Sequence, residues 1–177
     1  GSGKTLFLQT ILGAISSDKN AISYNSLNFH QNAVEIKKLY SYVADKPLFS
    51  DTLQVNEVLY KISKIDERFD VDKCFEFSIG YFTMSRILVL DNPFSGVGLI
   101  AKKEILNLLR DYMDENKMII LVTEDPLVIK SLADYIIVLE NGRINTKEDI
   151  VELQERFNTT DIEKILLSIM KGEKSNV

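Results

Sequence analysis

Cysteine and histidine are nearly missing from this chain, which has Cys74 alone of the one and His30 alone of the other. A single cysteine excludes an internal disulfide, and with no signal peptide ahead of the first motif the composition suits a reducing cytosol. His30 reads as a solvated loop residue and carries no role. Long apolar runs are also absent, which excludes a bilayer-spanning helix. Basic charge is not in excess: the net charge is −5 and lysines and arginines are scattered among acids, so no electrostatic footprint for nucleic acid stands out.

What is present is ordinary for one globular α/β domain: 177 residues, 45% hydrophobic and 27% charged, with no compositional break. The informative stretch is the first five residues, Gly1-Ser2-Gly3-Lys4-Thr5, followed at once by an apolar helical pattern. Glycines let backbone N–H groups turn onto phosphate oxygens, a lysine reaches the terminal phosphates, and a Ser/Thr hydroxyl ligates Mg²⁺. The helix adds the positive end of its dipole. A Gly-Ser start can also be an expression scar, but the Lys4-Thr5 pair coincides with the start of the helix. A phosphate loop normally follows a buried strand, so the sequence is expected to be a fragment lacking at least that strand.

Leu8, Ile11, Leu12 and Ile15 share one helical face, predicting a helix from Lys4 to about Ile15. Ala21–Phe29 suits a short hairpin around Asn25-Ser26, Lys38–Val43 a strand, and Thr52–Ile65 a helix. Arg86–Asp91 is the strongest strand: a continuous apolar run, buried on both faces, that ends in an acid. An acid at that position in an α/β fold sits beside the phosphate loop and holds Mg²⁺, although Asp-Asn-Pro is also good turn chemistry. Ile105–Tyr112 predicts a helix, Met118–Val122 a strand, Pro126–Ala133 a helix, and Tyr135–Leu139 a strand turned by Asn141-Gly142 into Arg143-Ile144. Thr160 and Glu163 form a capping-box pattern ahead of a last helix with Ile162, Ile165, Leu166 and Ile169 on one face. Alternating strands and helices predict a mostly parallel sheet with helices on both faces.

Taken in order, these segments resemble the ATP-binding cassette (ABC) domain of membrane transporters, of the bacterial exporter kind. Gly1–Thr5 resembles the Walker A motif, Ile87–Pro93 the Walker B strand, and Ser95–Gly98 the D-loop. Leu121–Asp125 is similar to the switch-histidine strand, Tyr42–Asp45 to the Q-loop, and Ser78–Tyr81 to a worn signature motif. The resemblance implies a P-loop NTPase fold with a nucleotide-binding domain over residues 1–145, a reduced helical subdomain at about 52–82, and a helical tail over 146–177. It implies ATP and Mg²⁺ as cofactors, with Gly1, Ser2, Gly3, Lys4 and Thr5 on the nucleotide and Thr5 and Asp91 on the metal. The implied partners are a transmembrane permease subunit and a second nucleotide-binding domain, at the inner face of the cell membrane.

The departures concern hydrolysis. Asn92 stands at the position of the family's catalytic Glu, Asp45 at the Q-loop Gln, Glu124 at the switch His, and Gly98 at the D-loop Asp. An amide cannot take a proton from attacking water, and losing a general base removes roughly 10²–10⁴ of rate. The expectation is therefore an ATP-binding subunit with impaired turnover. Glu124 could supply the carboxylate that Asn92 lacks. The alternatives are a nonhydrolytic regulatory half, a non-binding fragment, or a P-loop small-molecule kinase. The kinase ranks below the others because Arg68, Arg86, Arg110, Arg143 and Arg156 do not cluster into a lid.

Overall fold

The computed structural model describes residues 2–18, 21–45, 57, 60–61, 63–64, 85–113 and 116–172. Gly1, the signature-like Ser78–Tyr81 segment and most of the expected helical region at 52–82 lie outside the described residues. The elements begin with α1 (Lys4–Ile11), β1 (Ser23–Tyr24), β2 (Leu27–Asn28), α2 (Ala33–Lys37), β3 (Tyr40–Val43), β4 (Ile87–Asp91) and α3 (Leu99–Tyr112). They continue with β5 (Met118–Val122), α4 (Pro126–Leu132), β6 (Tyr135–Glu140), β7 (Arg143–Asp149), α5 (Ile150–Arg156) and α6 (Ile162–Met170). The chain forms two compact units, one comprising the chain up to Gln31 with the chain from Val122 onward, the other Asn32–Leu121.

In the first unit, α1 buries Leu8 and Leu12. It stops at Ile11 rather than near Ile15, because Gly13 at φ 67° turns the chain. The Phe29 ring occupies the space a side chain at Gly13 would need, so only glycine fits there. The expected hairpin forms as β1 and β2, with Asn25 and Ser26 both at positive φ. The Tyr24 hydroxyl ties it to α1 by donating to the Ile11 carbonyl at 3.0 Å.

β6 and β7 pair antiparallel through Asn141 and Gly142, at φ 49° and 74°, the backbone a two-residue turn of this twist requires. Two caps in this unit escaped the sequence reading. Asp149 accepts from the Val151 N–H at 2.7 Å and starts α5, a helix too short to announce itself by period. Asp161, not Thr160, caps α6, accepting from the Lys164 N–H at 3.3 Å. The capping box expected of Thr160 and Glu163 does not form, because the residue three after Asp161 is Lys164, and the Asp161 N–H donates to Thr159 Oγ1 instead. Ile136, Leu153, Ile162, Ile165 and Ile169 then close one apolar cluster, with Ile129, Ala133, Val138, Ile150, Phe157 and Leu166 packed around it.

The second unit holds a three-stranded sheet in the order β3-β4-β5. β3 and β4 are parallel, in register from Tyr40 opposite Ile87 to Val43 opposite Leu90. Leu88, Val89 and Leu90 are buried, as an apolar run in a covered parallel strand must be. α3 buries Leu106, Leu109 and Tyr112, and the Tyr112 hydroxyl donates to the Ser85 carbonyl at 2.6 Å. The Ser41 and Ser85 hydroxyls are hydrogen-bonded to each other beside it.

Candidate nucleotide-binding site

One group of candidate residues is built at the start of α1. Gly3 is the N-cap, at φ 91° in the left-handed region, where a side chain would be strained. A glycine cap has no side chain to satisfy the first N–H groups of the helix, which leaves them for an outside acceptor. The Ser2 carbonyl accepts from the Gly142 N–H at 3.1 Å, so the turn of the β6–β7 hairpin fixes the chain entering the helix.

The Lys4 ammonium is engaged by two oxygens, donating to Ser2 Oγ at 2.8 Å and to Glu124 Oε1 at 2.7 Å. Glu124 follows β5 in a loop pinned on either side. The Thr123 hydroxyl accepts from the Asp125 N–H at 3.0 Å, and the Asp125 carboxylate accepts from the Leu127 N–H at 2.9 Å as cap of α4. The hydrogen bond from Lys4, then its positive charge, holds the Glu124 carboxyl below the usual carboxylate range. Thr5 is exposed in the first turn of α1.

The other candidate residues gather at the end of β4 in the second unit. Asp91 is 1% exposed, and its Oδ2 has no hydrogen-bond partner among the described residues. Burial first, then the charge of Asp91 and a hydrogen bond to it, push the Tyr42 hydroxyl above its ordinary value. Next to it, Asn92 stands at φ 51° and its side-chain amide donates to Asp45 Oδ1 at 3.1 Å. Two candidate residues 47 apart in sequence are thus in direct contact as an amide and a carboxylate. Gly98 is the N-cap of α3 in extended conformation.

A buried carboxylate oxygen without a protein partner is a hard donor of the kind Mg²⁺ takes. Among the described residues no group of three or more His, Cys, Asp or Glu side chains gathers.

No protein-family model matches the chain. Among curated proteins it is similar to the energy-coupling factor transporter ATP-binding protein EcfA2 of Caldanaerobacter subterraneus subsp. tengcongensis. The two are 28% identical over 208 aligned positions, spanning 96% of this chain and 71% of the relative. Among solved structures it matches an ATP-binding subunit of an ABC transporter with a TM-score of 0.77 at 17% identity, over 96% of this chain and 84% of that one. A dimeric ATP-binding cassette in a post-hydrolysis state bound to ADP and phosphate gives 0.57 at 16% identity, over 84% of this chain and 81% of that one. The fold is that of a P-loop NTPase. Within that class, sequence likeness and fold together make the chain similar to the ATP-binding subunits of ABC transporters.

Proposed function

We propose that this chain binds Mg-ATP and serves as the nucleotide-driven subunit of a transporter, with its own hydrolysis impaired. The observation that supports binding is the Lys4 ammonium, held by oxygens at the start of a helix whose glycine cap leaves its first N–H groups open. Ser2, Gly3, Lys4 and Thr5 would take the phosphates, together with Gly1. Thr5 and Asp91 would hold Mg²⁺, which when bound offsets phosphate charge and orients the terminal group. Asn92 favours slow turnover, since its amide is committed as a donor to Asp45 and has no basic lone pair for water.

The names of the similar proteins support a membrane-embedded permease partner and pairing with a second ATP-binding domain, which would hold the chain at the cytoplasmic face of the membrane. Among the described residues no helix is long and apolar enough to cross a bilayer, so such attachment would run through the permease.

Titration of the chain with a fluorescent ATP analogue should give saturable binding that tightens with Mg²⁺, and a phosphate-release assay on the same sample should give little turnover. An absence of binding removes the reading in favour of a non-binding fragment.

Asp91 provides a separate check that does not depend on turnover. Asp91→Asn removes the charge of a buried carboxylate whose Oδ2 has no partner among the described residues. The same variant should lose the rise in thermal midpoint that Mg-ATP gives the parent chain. A midpoint that still rises with Mg-ATP in the variant takes Asp91 out of the metal site.

A further inference from the structure

We propose that Glu124 sets the preference of the site for the number of phosphates on its ligand, acting on Lys4 as an internal stand-in for a terminal phosphate and disfavouring a nucleoside triphosphate relative to a diphosphate. The inference rests on the nucleotide reading above and concerns a residue that reading does not need for binding.

The contact is a charge-assisted hydrogen bond of 2.7 Å between a full cation and a full anion. A lysine at this point of a phosphate loop reaches the β- and γ-phosphates, so a terminal phosphate competes for the same N–H groups that Glu124 occupies. A diphosphate ends one phosphate earlier and leaves the Lys4–Glu124 pair in place. A triphosphate must displace the carboxylate and then lie beside it. The Thr123 and Asp125 bonds fix the backbone on both sides of Glu124, so its carboxylate stays within reach of the lysine even when the side chain turns. Two like charges at such range disfavour each other even near solvent. Ser2 Oγ still holds the ammonium when Glu124 is neutralised, so Lys4 remains oriented toward a ligand.

The test is calorimetric titration of the full chain and of Glu124→Gln with ADP and with ATP, each with Mg²⁺. Glutamine keeps the size and the acceptor oxygen and removes the charge. Glu124 is 83% exposed, so the variant retains the fold, which circular dichroism verifies. An exposed ion pair is modest, so the variant should bind ATP about three- to tenfold more tightly and ADP within about twofold of the parent. Glu124→Ala should move the ATP-to-ADP ratio in the same direction, and added salt should narrow the gap between parent and variant. Binding of both nucleotides with an unchanged ratio overturns this proposal and leaves the binding reading standing. No binding of either nucleotide by either protein overturns the binding reading, and this proposal with it.

Discussion

Lys4→Ala should weaken ATP binding by roughly one to two orders of magnitude, because a hydrogen bond from an ionised group is worth about 1.5–3 kcal/mol. The loss is directional: the ammonium is a donor to oxygens, and at the start of α1 it already serves two of them. Removing it also leaves Glu124 as an uncompensated negative charge facing an anionic ligand. The fold should hardly notice, since Glu124 returns to water and Ser2 stays fixed through its carbonyl bond to Gly142. Calorimetric titration read beside thermal melts separates the two effects. An unchanged ATP affinity removes Lys4 from the site.

Ile165→Ala should be the most damaging of the substitutions considered for stability, by about 2–5 kcal/mol, since it empties a fully buried position among branched side chains. Ile165 lies on α6, near the end of the chain, yet it shares its cluster with Ile136 of the β6–β7 hairpin and Leu153 of α5. The last helix is therefore expected to unfold with the unit that carries α1, and on the proposed reading nucleotide should protect it. Chemical denaturation followed by circular dichroism measures the loss. A shift under about 1 kcal/mol would mean the cluster collapses around the gap, contrary to the close packing assigned to it.

Features with a local cause were legible in the sequence. The start of α1 follows from Gly3 and the apolar spacing behind it, β4 from an unbroken apolar run, and the late hairpin from Asn141-Gly142. Short elements were not. α2 and α5 have 5 and 7 residues, too few turns for a period to emerge, and α5 depends on the Asp149 cap rather than on pattern. The candidate site divides the same way. Lys4, Thr5 and Asp91 could be named as candidates because each sits at a fixed offset from a helix start or a strand end. The Lys4–Glu124 and Asn92–Asp45 contacts were not, because pairing across 120 and 47 residues is a property of topology that no local window contains. The resemblance marked Asp45, Asn92 and Glu124 as departures without saying what each would touch.

The bond from the Gly142 N–H to the Ser2 carbonyl bears on how this chain acquires its site over time. Ser2 and Lys4 leave the ribosome more than a hundred residues ahead of the turn that fixes them and the glutamate that engages the lysine. Contacts of such separation are slow to form, because a long loop must close before they repay its entropy. A nascent chain would thus carry Ser2 and Lys4 through more than a hundred residues of synthesis before the contacts from Glu124 and Gly142 that fix them could form.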